Sequence, residues 1–248
     1  WLQNEAGLQK GDRVALMMPN ILQYPIAIFG VLRAGMVVVN TNPLYTAREL
    51  EHQLKDSGAK AILVLENFAH VLQDVIGHTD VRKVLVTAVG DMLGAPKSWI
   101  VNFVIRHKRK QVKPWSIPGS MDFRDALAGG RRHELAPVTI GHDDVAFLQY
   151  TGGTTGVSKG AMHTQRNLIA NVLQALAWIG PVFPKEPTTL VTPLPLLITG
   201  IAGVPGFNAL HYFQQRYPGQ VIGIRQQDNW RLVGEDIVAC NAEDRGSL

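Results

Sequence analysis

The sequence predicts an α/β fold in which mostly parallel sheets are layered with flanking helices. In the first half of the chain, short apolar runs rich in β-branched residues alternate with longer runs that have helical spacing. Glycine, proline or asparagine stands at most of the junctions between them. This alternation favours a parallel sheet, because each helix carries the chain back to the start of the next parallel strand.

The elements of this half can be assigned in order along the chain. Apolar runs predict strands in segments 13–20, 36–43, 59–67 and 81–90. Helical spacing predicts helices between them, in segments 21–35, 46–58 and 68–77. The second helix has clear boundaries: Thr46 is an N-cap residue with Glu49 three positions later, as in a capping box, and Gly58 lies just past the end.

Residues 94–137 form a looser connector rich in proline, glycine and arginine. Within it, SWIVNFVIRHKRK joins an apolar run to a basic run that extends over Arg106–Lys113. One interpretation is a surface helix with a solvated end. The other is attachment to an anionic membrane surface. We expect a cytoplasmic protein, with peripheral association at the inner face of a membrane as the open alternative.

The pattern resumes with a strand in DDVAFLQYT, an exit strand in GAMHT and a helix that ends at Gly180. Beyond Glu186 there is no lysine, and the strand–helix alternation fades near Leu196. We therefore expect one domain over residues 1–196 and a divergent tail over residues 197–248. The uncharged stretch after Glu186 is long enough to span a membrane, but its prolines and glycines disfavour a membrane helix.

Composition narrows the function classes. The chain of 248 residues is 46% hydrophobic and 18% charged, which is typical of a globular protein with a sizeable core. A net charge of +4 is too small to argue for nucleic-acid binding. Cys240 is the only cysteine, so no disulfide can form within the chain. The histidines show no spacing with cysteines or acids that is typical of zinc sites.

A loop dense in glycine and hydroxyl residues follows the strand in DDVAFLQYT, and its core reads TGGTTGVSKG. Glycines let the backbone turn its N–H groups toward an anion. The loop also carries hydroxyls that can donate hydrogen bonds to phosphate oxygens, and Lys159 adds a mobile positive charge. A surface turn would not need this density of donors. The loop therefore predicts a binding site for the phosphates of a nucleoside triphosphate.

Two other loop motifs fit less well. A Walker A loop has Ser or Thr directly after its lysine, whereas glycine follows the lysine here. Gly156–Gly160 matches the G-x-S-x-G elbow of hydrolases, which needs an acid and then a histidine later in the chain. After Ser158, the last histidine is His211, and Glu186 is the only acid between them. The hydrolase alternative therefore depends on a single possible triad, Ser158, Glu186 and His211.

The segment YTGGTTGVSKGA resembles the phosphate loop of the adenylate-forming superfamily, which contains acyl-CoA synthetases, luciferases and the adenylation domains of peptide synthetases. Other segments resemble bacterial long-chain fatty-acid–CoA ligases, namely GDRVALMMPN, YPIAIFGVLRAGMVVVNTNPLYTARELEHQLKDSGAKAILV, FAHVL, and VNFV before a basic run. The resemblance covers about residues 2–196, with many separated blocks in the same order and spacing.

The resemblance implies an incomplete N-terminal domain of the adenylate-forming fold and a two-step reaction. A fatty carboxylate attacks the α-phosphate of ATP to give an acyl-adenylate and pyrophosphate, and the thiol of CoA then takes the acyl group. Mg²⁺ would arrive with ATP, and no residue is assigned as a metal ligand. The catalytic roles fall to Lys159, Thr154 and Thr155. The implied nucleotide-binding residues are Tyr150, Thr151, Gly152, Gly153, Thr154, Thr155, Gly156, Val157, Ser158, Lys159, Gly160 and Ala161.

Several features of the family are replaced or missing. Leu197 and Ile198 stand where a Tyr-His pair usually follows, and Gln165 takes the place of a histidine. The Tyr-Gly-x-Thr-Glu motif, the ribose-binding aspartate and the adenylation lysine are absent, so we expect a fragment of a larger ligase. The open alternatives are a ligase for another carboxylic acid of the same superfamily and a nucleotide-binding remnant without enzyme activity.

Overall fold

The computed structural model describes residues 1–151, 158–179, 196–199, 221–225 and 237–239. The chain divides into two compact units, residues 1–177 and residues 178–248. The first unit contains a seven-stranded, mostly parallel sheet with helices on both faces, which confirms the predicted fold class.

The sheet of the first unit is parallel except at one edge. Its strands are β1 (Arg13–Met17), β2 (Val37–Asn40), β3 (Ala59–Leu65), β4 (Lys83–Thr87), β5 (Met121–Asp122), β6 (Val145–Thr151) and β7 (Lys159–Thr164). They lie in the order β5-β4-β3-β1-β2-β6-β7, and only the β6–β7 pair is antiparallel. All the strands predicted up to residue 164 are present. The short strand β5 was not predicted.

Six helices belong to the described part of this unit or extend from it. They are α1 (Gln23–Arg33), α2 (Ala47–Ser57), α3 (Ala69–Val75), α4 (Lys97–Phe103), α5 (Phe123–Gly130) and α6 (Gln165–Ile179). A π-helical turn, Val104–Lys108, continues α4. Two of these helices and β5 lie within residues 94–137, so this connector holds more regular structure than its composition indicates.

The central strands contribute to two cores because successive side chains point to opposite faces of a sheet. Val14 and Leu16 of β1 pack with α1 and α5 on one face. Ala15 and Met17 of the same strand pack with α2 and α3 on the other. Six of the seven residues of β3 are buried, which explains why its sequence is apolar with little alternation.

Helix α2 begins and ends as its sequence predicts. The Thr46 N–H donates to Glu49 Oε2 (2.8 Å), and the Glu49 N–H donates to Thr46 Oγ1 (3.4 Å), which completes the capping box. Gly58 ends the helix with φ of 60°, in the left-handed region that glycine adopts most readily. The two hydrogen bonds from Thr46 hold the pKa of the Glu49 carboxyl below its usual range, so the carboxylate is ionised at neutral pH.

The second unit has three short strands in the part that the structure describes. They are β8 (Leu196–Thr199), β9 (Val221–Arg225) and β10 (Ile237–Ala239), and they pair in parallel in the order β10-β9-β8. Most of the uncharged stretch after Glu186 lies outside the described residues. Among the residues that are described, no helix is long and apolar enough to cross a bilayer. The expected boundary near residue 196 stays a prediction.

The capping box gives a test of the architecture. Thr46→Ala removes the side-chain acceptor at the start of α2, and we expect a loss of about 1 kcal/mol in the free energy of unfolding at neutral pH. Glu49 has a lowered pKa in the folded state, so its contribution is complete above the ordinary glutamate range and is lost as the pH falls through the lowered value. The difference between T46A and the parent protein should therefore narrow in acid.

Urea titrations at neutral and acidic pH would measure this difference. Thr139, which is exposed and lies outside the helices and strands, supplies the matched control Thr139→Ala. Equal stabilities of T46A and T139A at neutral pH would show that the capping box does not stabilise the fold.

Candidate functional site

The glycine-rich loop joins the last two strands of the seven-stranded sheet. Strands β6 and β7 form a hairpin in which Thr151 lies opposite Lys159 and Tyr150 lies opposite Gly160. The loop therefore leaves the sheet at the carboxyl end of β6, the same edge at which the neighbouring parallel strand β2 ends. Ligands of open α/β sheets bind outside the carboxyl ends of the strands, so this position suits a phosphate-binding loop.

The structure describes the two ends of the loop. Residues 152–157, which include Thr154 and Thr155, lie outside the described residues, so their predicted roles stay predictions. On the exit side, Ser158 is partly buried and Lys159 is exposed at the start of β7. Ala161 lies opposite Gln149 and is also exposed. The hairpin thus brings the cationic side chain of Lys159 to the mouth of the loop.

Tyr150 faces inward from β6 and is 7% exposed. Its hydroxyl donates to Asp56 Oδ2 near the end of α2 (2.5 Å). Burial and the neighbouring Asp56 carboxylate raise the pKa of Tyr150 above its ordinary value, so the phenol stays protonated as a donor. The ring also leaves no room for a side chain at Gly160, where an added Cβ would lie 2.9 Å from two ring carbons. Tyr150 therefore supports the base of the hairpin.

Helix α2 also holds the exit of the loop. His52 Nε2 donates to the Ser158 carbonyl oxygen (3.1 Å), which requires the tautomer with its proton on Nε2. Tyr45, just before α2, packs against the apolar core beneath this helix. Burial first, and then the charge of Glu49, raise the pKa of Tyr45, so its phenol is neutral near pH 7. We call His52 and Asp56 the loop clamp.

The loop clamp has no signature in the sequence. His52 reads as an ordinary helix residue, and 106 positions separate it from Ser158. Helical spacing places His52 and Asp56 four residues apart on one side of α2, yet nothing local indicates that this side meets the loop. Only the crossover that lays α2 over the sheet brings them together.

A chain of polar contacts fixes the carboxyl end of β2 beside β6. The Tyr24 hydroxyl donates to Asn40 Oδ1 (2.7 Å), and Asn40 Nδ2 donates to Gln149 Oε1 (2.7 Å). Gln53 of α2 donates its amide N–H to the Asn40 carbonyl oxygen (2.8 Å). Burial raises the pKa of Tyr24, so this donor is neutral as well. The contacts link α1, α2, β2 and β6 at the edge where the loop begins.

After β7, the chain turns directly into α6. Thr164 donates from its N–H (3.0 Å) and its hydroxyl (2.8 Å) to Asn167 Oδ1, and the Asn167 N–H donates back to Thr164 Oγ1 (3.3 Å). This reciprocal cap satisfies donors at the start of the helix. Gln165, which takes the place of the family's histidine, is the first helical residue, and its side chain takes no part in the cap.

The described residues offer phosphate donors and no ready metal site. In the ranges that the structure covers, no three His, Cys, Asp or Glu side chains converge so that they could hold a metal ion. The hairpin offers the ammonium group of Lys159, the hydroxyl of Ser158 and backbone N–H groups, and the neutral phenol of Tyr150 supports its base. Such donors suit an anionic ligand.

Comparison with known families gives one match that covers most of the chain. The profile described as AMP-binding enzyme matches residues 1–202. This range contains the whole β6–β7 hairpin, the loop clamp and all the strands of the first sheet.

Curated relatives are similar over much of this range. The chain is 54% identical over 196 residues to a protein of Salmonella typhimurium called long-chain-fatty-acid–CoA ligase, an alignment that covers 79% of the chain and 35% of the relative. It is 55% identical over 183 residues to a ligase of the same name from Haemophilus influenzae, covering 74% of the chain and 32% of the relative. The chain spans about a third of the length of these relatives.

Solved structures share the fold. A crystal structure described as a putative long-chain-fatty-acid CoA ligase from Rhodopseudomonas palustris superposes with a TM-score of 0.56 at 18% identity, over 88% of the chain and 46% of that protein. ATP-bound MatB from the same organism superposes with a TM-score of 0.54 at 23% identity, over 90% of the chain and 36% of that protein. At these identities the likeness concerns the fold alone.

The loop clamp can be tested by removing its histidine. His52→Ala should weaken ATP binding about fivefold, because a hydrogen bond that positions the loop contributes about 1 kcal/mol. His52→Gln keeps an N–H donor at this position and should recover part of the affinity. Isothermal titration with ATP measures both variants, and the exposed His78, changed to alanine, is the matched control. Identical affinities for H52A and H78A would show that His52 does not position the loop.

The contact of Gly160 with the Tyr150 ring predicts a steric effect. Gly160→Ala should destabilise the protein by about 1–3 kcal/mol, because the added methyl overlaps ring atoms that are themselves packed. Gly30→Ala is the control, since its Cβ would enter open space in the interior of α1 and should stabilise the helix by up to about 1 kcal/mol. Thermal unfolding measures the Tm of both variants. A Tm for G160A at or above that of the parent protein would contradict the packing argument.

Proposed function

The chain belongs to the AMP-binding enzyme family, and on that premise we propose that the protein containing it activates a long-chain fatty acid with ATP and transfers the acyl group to CoA. The observation that carries the proposal is the 54% identity over 196 residues to a relative named for this activity. The position of the hairpin loop at the carboxyl edge of the sheet supports the nucleotide half of the proposal. We also propose a cytoplasmic location, where ATP and CoA are both available.

The first step forms an acyl-adenylate. A carboxylate oxygen of the fatty acid attacks the α-phosphorus of ATP, a new P–O bond forms, and the bond to the β-phosphate bridging oxygen breaks to release pyrophosphate. Negative charge builds on the leaving phosphates, so groups that donate hydrogen bonds or carry positive charge there lower the barrier. ATP enters as its Mg²⁺ complex, which brings part of that charge compensation with the substrate.

We assign the remaining compensation to the loop. Lys159 is exposed at the mouth of the hairpin, where its ammonium group can follow the β- and γ-phosphates as they leave together as pyrophosphate. The hydroxyls of Thr154, Thr155 and Ser158 and the backbone N–H groups of residues 152–157 supply hydrogen-bond donors. The loop clamp keeps the Ser158 end of the loop in place, so less ordering is required when ATP binds.

The second step transfers the acyl group. The CoA thiol loses its proton, its sulfur attacks the carbonyl carbon of the acyl-adenylate, and the C–O bond to AMP breaks, which gives the thioester and AMP. We assign the loop residues to the phosphates of ATP and assign no described residue to CoA. A long acyl chain, in preference to another carboxylic acid, follows from the curated relatives, since the solved structures are alike in fold only.

The activity can be tested directly. The purified protein, given Mg–ATP, CoA and separate long-chain, medium-chain and aryl acids, should release pyrophosphate and form acyl-CoA with the highest kcat/KM for a long-chain acid. A preference for a medium-chain or aryl acid would assign the other ligase activity and overturn the choice of substrate. ATP binding without any acyl-adenylate would identify a nucleotide-binding remnant and overturn the enzyme assignment for this polypeptide.

Lys159 should affect the chemistry more than the binding of the acid. Lys159→Ala is expected to lower the rate of adenylation by at least about tenfold, the scale of one charge-assisted contact to a transferring phosphate, and to leave the Kd of the fatty acid within about twofold. Pyrophosphate exchange measures the rate, and fluorescent fatty-acid titration measures the binding.

The matched control for this variant is Lys55→Ala on α2, which removes an exposed lysine whose described partner is the half-buried Glu51. Adenylation kinetics that are the same for K159A and K55A would remove Lys159 from the mechanism.

A further inference from the structure

Helix α4 exposes its apolar side chains. Trp99, Ile100 and Phe103 are 67%, 60% and 57% exposed. Phe103 lies four residues after Trp99 and three after Ile100, spacings that place side chains on the same side of a helix, so the three side chains form a single outward face. A surface helix normally buries such a face, and a contiguous exposed apolar patch is typical of a site that contacts a partner or a membrane.

Polar contacts hold α4 in this orientation. Ser98 and Asn102 are buried on its inner side. Asn102 Nδ2 donates to Asp91 Oδ1 (2.9 Å), and the Gly90 N–H donates to Asn102 Oδ1 (2.8 Å). Asp91 in turn accepts hydrogen bonds from the Ala88 N–H (2.6 Å) and the Thr87 hydroxyl (2.9 Å). Because buried polar groups are costly to leave unpaired, this network fixes which side of the helix faces outward.

The same region is strongly basic. Residues 92–121 contain six Lys and Arg residues and no Asp or Glu, whereas the whole chain has a net charge of only +4. The exposed cations follow α4 directly, in the π-helical turn and just after it, at Lys108, Arg109, Lys110 and Lys113. The His107 ring lies against the Phe103 ring (centroids 4.9 Å apart), so the apolar face and the basic stretch are continuous.

Arg106 has a different role from its neighbours. Its guanidinium binds the carboxylate of Glu66, which is 4% exposed, with Nη2 2.8 Å from Oε2. The carboxylate raises the pKa of Arg106, as expected for a tightly paired cation. The sequence interpretation assigned the whole run Arg106–Lys113 to a charged surface. The structure removes Arg106 from that set, because it anchors the π-helical turn to the body of the protein.

We propose that the outward face of α4, formed by Trp99, Ile100 and Phe103 together with the cations of residues 107–113, docks on the surface of a bilayer that contains anionic lipids. Apolar side chains enter the boundary between head groups and acyl chains, and Lys and Arg bind the anionic head groups. Neither signal alone gives firm binding, and this face supplies both.

Charge complementarity selects the lipid among possible occupants. Helix α6 also exposes apolar residues, Ile169, Val172 and Leu173, at 47%, 55% and 60%. Arg166 is the only charged residue of that helix, and it is paired with Asp143. An apolar face without charge fits many partners, and we assign none to it. The α4 face combines an aromatic helix with an acid-free basic stretch, the pattern of an interfacial anchor.

The docking of α4 does not depend on the proposed ligase activity, so it can be tested without ATP, acid or CoA. The full chain is mixed with vesicles of phosphatidylcholine alone or of phosphatidylcholine with phosphatidylglycerol, and bound protein is measured by sedimentation. We expect binding to the anionic vesicles at least about tenfold tighter than to the neutral ones, and weaker binding as salt is raised.

Two matched pairs of variants separate the apolar and basic parts. W99S/I100S/F103S should lose at least about tenfold in vesicle binding, while I169S/V172S/L173S, which removes three exposed apolar residues of α6, should bind like the parent. K108Q/R109Q/K110Q should lose a similar factor, while R48Q/R82Q/R131Q, which removes three exposed arginines elsewhere, should lose much less. Arg106 is left intact because its pairing with Glu66 supports the fold.

A spectroscopic readout tests the contact itself. Brominated lipid should quench tryptophan fluorescence in the parent, and the single variant Trp99→Phe, which still binds, should lose most of that quenching. Equal binding to neutral and anionic vesicles, or parent-like binding by W99S/I100S/F103S, would overturn the proposal. Absence of vesicle binding by the parent protein would also overturn it. A sedimentation coefficient that differs between the parent and W99S/I100S/F103S would then show that the face contacts protein.

Discussion

The packing of α2 against the sheet is the interaction on which the candidate site depends. Leu50 and Leu54 are completely buried between this helix and the central strands, and each contributes about 1.5–3 kcal/mol through its burial. With the helix fixed, His52 reaches Ser158 just before β7, and Asp56 reaches Tyr150 in β6. The apolar side of α2 therefore sets the position of polar groups that act on its other side.

Helix α4 is held by the opposite arrangement. Its buried residue Asn102 pairs with Asp91 and Gly90, and its apolar residues face outward. Apolar packing is non-directional and tolerates rotation of a helix, whereas a buried hydrogen-bond network accepts only one orientation. Helix α2 thus positions a loop suited to phosphates, and helix α4 presents a face suited to a lipid surface.

Most of the fold could be predicted from local patterns. The buried strands β1 and β3 are continuous apolar runs, and the boundaries of α2 follow from Thr46, Glu49 and Gly58, because caps and glycine conformations are decided by a few adjacent residues. The glycine-rich loop also stands out in the sequence, since its glycines, hydroxyls and lysine lie within one short segment, and its phosphate role stays a prediction. Helix α4 in the connector 94–137 was harder to interpret, because a helix that buries polar residues and exposes apolar ones reverses the usual relation between pattern and burial.

The sequence by itself therefore determined the alternation of strands and helices, the caps of α2 and the family, and it predicts the chemistry of the loop. Only the tertiary structure decided that α2 supplies the loop clamp, that Arg106 pairs with the distant Glu66, and that Trp99 and Phe103 face outward. The reason is physical. Each of these features depends on how segments that are distant in the sequence pack together. Crossover geometry and burial are properties of the assembled sheet, so no short segment encodes them.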